Sequence, residues 1–214
     1  MPLEPFSVLA AQPEPALDEL ALALAAEFGQ TDAQGALSEL DRLGAELAPA
    51  RGASPAAEVE ALRELLGVRH DFAGAVDEYD HPDHSMLDLV IERRRGLPIV
   101  LSIVYVEVAR RAGVALAGVG LPRHYVAGHF GADPPLLLDP FGRGAPLGAQ
   151  PGLRPSGVHE TVARMLNNLV GSYRRRGDLS RAIRAAEMRL ELRLDEPSKA
   201  LFEAELRSLR AHLN

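Results

Sequence analysis

The chain has 214 residues, of which 47% are apolar and 25% charged, so it can bury a sizeable core, and its net charge of −7 argues against a nucleic-acid-binding protein, which needs a basic surface. The absence of cysteine excludes disulfides, thiolate metal sites and a cysteine nucleophile, and fits a reducing cytoplasm. The proline-broken N-terminus lacks a signal-peptide pattern and no window approaches 18 apolar residues, so we expect a cytoplasmic protein that does not span or bind a membrane.

The first 67 residues are predicted to form an N-terminal helical region. Apolar residues recur at helical spacing over 16–28 and over 35–47. A third, shorter helix is predicted over 56–66, and Gly67 is expected to end it.

A fourth helix is predicted between Ser85 and the arginine run 93–95. Asp88 follows Ser85 by three residues, which resembles a capping box with a shortened acid. Gly96 can take the left-handed conformation that ends a helix. The arginines then lie at the negative end of the helix dipole, and we prefer this interpretation to a binding patch.

The segment that begins at Pro98 predicts a buried helix. Pro98 suits the first helical position, and residues 99–108 are apolar almost all round. Three short strands are predicted to follow at 114–121, 124–130 and 135–141. Residues 142–157 are rich in glycine and proline and are predicted to be a linker or long surface loop.

The part from residue 158 to 214 is predicted to be a helical tail, with its final helix over 198–213. Two helices pair around the stretch RRRGDLS, at spacings typical of tetratricopeptide repeats. The positions that carry this pattern are Leu169, Tyr173, Gly177, Ala182 and Ala186. Only one copy is visible, so the tail is expected to pack on the rest of the protein.

A histidine and an aspartate are the strongest candidates for chemistry. His124 opens the second predicted strand and Asp139 ends the apolar run of the third, so their side chains are expected to be neighbours. An aspartate can orient a histidine as a base that activates a serine or cysteine. The same pair can also simply tie two strands together, since a buried carboxylate needs partners.

Several motifs together resemble one protein family. The stretch RRRGLPIVLSIVYVEVARRAGVALAGVGLPRHYVAGHF and the later LLLDPFGRG are similar to the SirB-type branch of transglutaminase-like bacterial proteins. The preceding DEYDHPDHSMLDLVIERRRG and the tail RMLNNLVGSYRRRGDLSRAIRAAE resemble the same branch, so the similarity covers about residues 60–195.

The resemblance implies an α+β fold with a papain/transglutaminase-like core. In such a core a buried helix packs against a small antiparallel sheet; here it would occupy 68–148, between the helical region 1–67 and the tetratricopeptide-like tail 158–214. By position, His124 and Asp139 match the family's histidine and aspartate, and the catalytic cysteine would fall at or beside Pro98. Proline has no nucleophilic side chain, so the resemblance predicts a degenerate site.

These residues support three hypotheses. The first is a non-catalytic module, or pseudoenzyme, that binds a protein or peptide through its pocket or helical tail. The alternative is a hydrolase or acyltransferase that uses Ser102, one turn beyond Pro98, with His124 and Asp139; a serine there is more readily explained by a bond to a backbone carbonyl one turn back. The third is a purely structural core with the function in the N-terminal helices.

No cofactor or metal site is predicted. His81, Asp83 and His84 form a histidine-rich stretch, but Pro82 opposes the regular helix that would bring the two imidazoles together. His124 and His129 are five residues apart, so along a strand they would point to opposite faces.

Overall fold

The computed structural model describes residues 3–148, 150 and 152–212. Nine α-helices and six β-strands lie within these residues. The helices are α1 (Phe6–Ala11), α2 (Leu17–Ala26), α3 (Ala33–Leu47), α4 (Pro55–Leu62), α5 (Leu87–Arg93), α6 (Pro98–Ala112), α7 (Val158–Arg175), α8 (Leu179–Glu191) and α9 (Glu196–Ala211). The strands are β1 (Ala73–Gly74), β2 (Arg95–Gly96), β3 (Leu116–Leu121), β4 (His124–His129), β5 (Leu136–Asp139) and β6 (Ala145–Leu147).

Strands β3 to β6 form an antiparallel meander, with each strand hydrogen-bonded to the next along the chain. The β3–β4 hairpin closes at the pair Leu121 and His124. The much shorter β1 and β2 pair in parallel. The predicted α+β class is therefore confirmed, and all three predicted strands are present. Strand β6 lies in a segment that the sequence predicts to be a linker.

Helix α6 is the centre of the core. All but three of its 15 residues are buried, as its apolar sequence predicts. Pro98 occupies its first turn, and Gly113 takes a left-handed φ of 76° just after it. One apolar cluster surrounds α6 and includes side chains from the N-terminal helices, the sheet and the tail, for example Leu22, Leu138 and Leu166. The three predicted regions therefore share one core.

Two predicted helix ends are wrong. Residues Pro82–Ser85 form a 3₁₀ turn, so Ser85 is buried inside that turn and Met86 is the N-cap of α5. At the other end, Arg94 takes the left-handed conformation, with φ 61°, and Gly96 already belongs to β2. The capping-box and C-cap predictions fail because the proline-containing turn and the β1–β2 pairing fix the ends of α5.

Other differences concern the N-terminal region. Helix α1 was not predicted from the sequence. The helix predicted over 56–66 is α4, and it does not end at Gly67, because a wider π-helical turn continues it over Arg63–Arg69. Within the described residues, no helix combines the length and apolarity needed to cross a membrane.

The tail consists of three helices that pack in sequence, α7 on α8 and α8 on α9. Arg189 on α8 is 2% exposed and donates hydrogen bonds to Asn167 Oδ1 (2.6 Å) and Glu205 Oε2 (2.8 Å). It thereby joins all three helices. Just before α7, the Ser156 amide donates to the Gly118 carbonyl (2.8 Å), and the Ser156 hydroxyl accepts from the Gly120 amide (3.2 Å). This segment therefore covers the outer edge of β3.

Glu39 on α3 provides a test of how α3 is fixed to α5. Its carboxylate binds Arg42 (2.7 Å) and Arg94, and these arginines, Arg42 foremost, lower its pKa to about 2. A carboxyl whose pKa is lower in the folded protein than in the unfolded chain stabilises the fold at pH values above the unfolded pKa, near 4.5. This stabilisation is lost as the pH falls towards the folded pKa of about 2. We expect Glu39→Gln to lower the free energy of unfolding by about 1–2 kcal/mol at pH 7, after allowance for solvent screening.

Urea denaturation at pH 7, 4.5 and 3 would measure this effect, and the difference from wild type should shrink as the pH falls. Glu60→Gln is the matched control, because Glu60 makes the same i,i+3 pair with Arg63 but is 61% exposed, whereas Glu39 is 21% exposed. That variant is expected to show no measurable change. A constant difference for Glu39→Gln across the pH range would contradict the assigned role.

Candidate functional site

His124 and Asp139 lie side by side at one end of the sheet. His124 is the first residue of β4 and Asp139 the last residue of β5, and these neighbouring strands are antiparallel. The Nε2 atom of His124 is 3.1 Å from Oδ1 of Asp139. The two side chains are 31% and 20% exposed, so a molecule from solution can reach both. The structure thus brings together the two side chains that the sequence singled out.

Backbone contacts hold both members of the pair. The Phe141 amide donates to Asp139 Oδ1 (3.0 Å), which fixes the carboxylate over the turn that follows β5. Arg164, on α7, donates from Nη2 to the carbonyls of Leu121 (3.1 Å) and His124 (3.0 Å). The helical tail therefore braces the turn that carries His124.

Ser102 does not complete a nucleophilic triad with this pair. It has no exposed surface, and its hydroxyl donates to the Pro98 carbonyl one turn back (2.8 Å), with the Tyr125 carbonyl at 3.4 Å as a second acceptor. Tyr125 belongs to the core around α6. Since neighbouring strand residues point to opposite faces, the His124 side chain lies on the other face, with Val126. The serine hydroxyl thus serves the helix.

The first turn of α6 offers no other nucleophile. It consists of Pro98, Ile99, Val100 and Leu101. The chain contains no cysteine at all. The pair therefore has an imidazole and a carboxylate without an attacking group from this helix.

Two arginines in left-handed conformations flank the pair. Arg123, with φ 58°, directly precedes His124, and Arg143, with φ 59°, follows Asp139 by four residues. Arg143 pairs with Asp71, which also binds Arg95 (2.6 Å). Arg95, and then Arg143, hold the pKa of Asp71 below its ordinary value. Neither arginine was predicted to belong to the site, although an arginine between Gly142 and Gly144 is a visible turn signal.

An apolar surface adjoins Asp139. The Phe141 ring packs edge-on against Tyr79, with 6.0 Å between ring centroids. The Gly74 amide donates to the Phe141 carbonyl (2.9 Å), which brings the 74–79 loop close to the site. In this loop Val76 is 78% exposed and Tyr79 46% exposed. Large exposed apolar side chains beside polar groups are typical of binding surfaces.

Tyr105, on the buried side of α6, was also missed. Its side chain is fully buried, and its hydroxyl has no hydrogen-bond partner among the described residues. Burial raises the pKa of Tyr105, and the charge of Asp139 raises it further. The glycine at 144, with φ 73°, leaves room for this hydroxyl, because a Cβ there would lie 3.1 Å from it.

Two other histidines, His81 and His129, hold parts of the fold together. His81 Nδ1 accepts from the Asp83 amide (3.3 Å) and caps the 3₁₀ turn. His129 donates from Nε2 to Glu58 (2.6 Å). Burial raises the pKa of Glu58, but the bonds from His129 and from the Gly52 amide together hold it below its ordinary value. In the part of the chain that the structure describes, no three histidine or acidic side chains converge as metal ligands would.

Substitution of Arg123 would test whether the backbone of the turn before His124 is strained. In a β-turn with proline at its second position, a positive φ at the third position favours glycine. We expect Arg123→Gly to raise the free energy of unfolding by about 0.5 kcal/mol, because relief of strain slightly exceeds the entropic cost of glycine. Thermal unfolding would measure the change. Arg123→Ala keeps the Cβ and therefore the strain, and a stabilisation equal to that of the glycine variant would exclude this explanation.

The family of the chain follows from a comparison with known proteins. A family model described as the transglutaminase-like superfamily matches residues 34–151. The chain belongs to the transglutaminase-like superfamily. The matched segment begins at the start of α3, so in this transglutaminase-like protein the family region includes helices that precede the predicted core.

The curated relatives are proteins of both bacteria and mammals. A UPF0162 protein of Xylella fastidiosa is 33% identical over 161 residues, which cover 65% of this chain and 57% of the relative. A UPF0162 protein of Pseudomonas aeruginosa is 38% identical over 136 residues, covering 61% and 48% respectively. Human F-box only protein 21 is 30% identical over 134 residues, covering 53% of this chain and 20% of that protein.

The transglutaminase-like chain spans about half the length of the UPF0162 relatives that it matches. No solved structure matches it.

Proposed function

We propose that this transglutaminase-like protein is non-catalytic and that the surface around His124 and Asp139 binds a peptide segment of another protein. The burial of Ser102, whose hydroxyl is bonded to the Pro98 carbonyl in a chain without cysteine, is the observation that carries the proposal. A nucleophile must lie within hydrogen-bonding reach of its base. The alternative is a hydrolase or acyltransferase that uses Ser102, and the bond of its hydroxyl to the Pro98 carbonyl argues against it.

The surroundings of the pair favour a peptide. An extended chain offers amide and carbonyl groups that His124 and Asp139 can pair with, since an imidazole both donates and accepts and a carboxylate accepts. The exposed Val76 and Tyr79 offer an apolar contact for its side chains. The exposed Arg123 adds a positive charge beside His124 that favours an acidic residue in the partner.

We further assign the protein to the SirB-type branch, with a tetratricopeptide-like tail and a cytoplasmic location. The buried Tyr173, Ala182 and Ala186 between α7 and α8, and Gly177 at φ 74° in the turn, support the assignment of the tail. The absence of cysteine is compatible with a reducing compartment. The tail is a second surface through which a protein partner could be held.

Selection of peptides from a random library displayed on phage would test the proposed binding. Affinities of the enriched peptides, measured by fluorescence polarisation, should fall at least tenfold in His124→Ala and in Tyr79→Ala. His212→Ala, which removes an exposed histidine at the end of α9, is the matched control and should bind as wild type does. Peptides that bind His124→Ala as tightly as wild type would contradict the proposal.

A separate assay addresses catalysis. Purified protein should release no product from chromogenic ester and amide substrates, and should not couple amines to glutamine peptides, above the rate of Ser102→Ala. Turnover that disappears in both Ser102→Ala and His124→Ala would instead establish the hydrolase or acyltransferase.

A further inference from the structure

A cavity of about 390 Å³ lies away from the His124–Asp139 pair, where the end of α2, the start of α5 and the α7–α8 turn meet. Its volume is in the range of pockets that hold small molecules. The walls include apolar and aromatic side chains together with three carboxylates, those of Asp83, Asp88 and Asp178.

Two of these carboxylates have a cationic partner inside the protein. Asp83 pairs with Arg93 (2.7 Å). Asp178 pairs with Arg181 (3.2 Å) and also caps α8 by accepting from the Arg181 amide (3.0 Å). Their charges are therefore already balanced.

Asp88 differs from both. It is only 8% exposed, and its Oδ1 atom has no hydrogen-bond partner within the described residues. Burial raises its pKa, an effect that the nearby amides of Leu89 and Asp32 only partly offset. A buried carboxylate without a cation is costly, and native proteins rarely keep one without a reason.

Part of the cavity wall is aromatic. The rings of Phe28 and Tyr173 pack with 5.4 Å between centroids. The guanidinium of Arg181 lies 5.9 Å from the centre of the Tyr173 ring, so this ring already contacts one cation. The exposed Arg176 also lines the cavity and would repel a second positive charge on a ligand.

We infer that this cavity binds a single primary ammonium group on a short apolar or aromatic body, with Asp88 as its counter-ion and the Phe28–Tyr173 pair as its apolar wall. The ammonium would supply the buried Asp88 carboxylate, which lines the cavity, with a positive charge and a hydrogen-bond donor. The source could be a free amine, a lysine side chain or a peptide N-terminus, because all three present the same group. This inference does not depend on the function proposed for the His124–Asp139 surface.

Phenethylamine and 2-phenylethanol form a matched pair of probes, because they have nearly the same shape and only the first is charged. Titration calorimetry on the full chain should show at least tenfold tighter binding of the amine. In Asp88→Asn this preference should disappear. Asp80→Asn, which alters an exposed aspartate paired with Arg175, is the control and should keep it. Equal affinities in wild type, or a preference that survives in Asp88→Asn, would overturn the inference.

Two further measurements test the inference even if Asp88→Asn does not fold. Ala25, a buried residue on α2, lines the same cavity, so Ala25→Leu should fill it and weaken both probes at least tenfold while leaving Asp88 intact. In the wild-type protein, NMR should show shifts of the Phe28 and Tyr173 ring signals on addition of phenethylamine. Unchanged ring signals, or unchanged affinity in Ala25→Leu, would also overturn the inference.

The source of the ammonium is distinguished by two peptide-like probes. Nα-acetyl-lysine methylamide presents a side-chain ammonium, and phenylalanyl-glycinamide presents an N-terminal one. Tighter binding of either than of phenethylamine, lost in Asp88→Asn, would identify a protein or peptide as the ligand. Weaker binding of both would identify a free amine.

Discussion

Arg111→Met is expected to lower the free energy of unfolding by about 4 kcal/mol at pH 7. Arg111, on α6, binds the buried carboxylates of Asp18 (2.6 Å) and Glu107 (2.7 Å), which are 3% and 2% exposed, and also Asp41 (2.6 Å). Breaking a buried ion pair from one side leaves charges without compensation, which typically costs 3–5 kcal/mol. Chemical denaturation would measure the loss.

The loss should also depend on pH. Burial, and then the charge of Asp18, raise the pKa of Glu107 above 4.5. A carboxyl whose pKa is higher in the folded protein than in the unfolded chain stabilises the fold at pH values below the unfolded pKa. This stabilisation is lost as the pH rises through the folded pKa. Without Arg111 the pKa of Glu107 should rise further, so the difference between variant and wild type should be smaller at pH 4.5 than at pH 7.

Arg110→Met is the matched control for Arg111. Arg110 contacts the same two acids, at 2.7 Å from Glu107 and 3.5 Å from Asp18, but its side chain is 57% exposed. Water can replace an exposed cation, so we expect a loss below about 1 kcal/mol. Equal losses in the two variants would show that burial does not govern this network.

Gly67→Ala is expected to cost about 3 kcal/mol and to disturb the His124–Asp139 pair. A Cβ at Gly67 would lie 2.0 Å from the backbone oxygen of Arg143, a contact that no side-chain rotation can relieve. The 139–144 turn would have to move, and overpacking of this kind typically costs 1–3 kcal/mol or more. Because the Phe141 amide in this turn holds Asp139 Oδ1, the carboxylate should move too.

Thermal unfolding and the NMR chemical shifts of the His124 imidazole would measure both effects. Gly29→Ala is the control, since no atom lies within 4 Å of a Cβ at that glycine. We expect its unfolding free energy to stay within about 1 kcal/mol of wild type and its imidazole shifts to be unchanged. An unperturbed His124 in Gly67→Ala would show that the turn does not hold the pair.

Local signals in the sequence predict the central elements well. Pro98 and Gly113 bracket α6 because proline suits a helix start and glycine a left-handed end. The strands that carry His124 and Asp139 follow from short apolar runs between turn residues, and their antiparallel pairing places the two side chains together.

Features that depend on distant parts of the chain were not predictable. Arg94 ends α5 in place of Gly96 because Gly96 pairs with Gly74 of β1, and Arg94 itself binds Glu39, 55 residues earlier. His129 binds Glu58 across 71 residues, and Arg164 reaches the His124 carbonyl across 40. Spacing within one segment carries no information about such partners.

The way Ser156 covers the edge of β3 has a consequence for how this chain can vary in length. The unpaired backbone groups of an exposed strand edge can pair with a strand of another molecule. Here two hydrogen bonds from Ser156 occupy the outer edge of β3. Extra residues placed between Leu147 and Leu153 could loop outward and leave those bonds intact. A single residue inserted between Ser156 and α7 would shift the serine out of register and open the sheet to self-association. Natural length variation in this connection should therefore be confined to its first half.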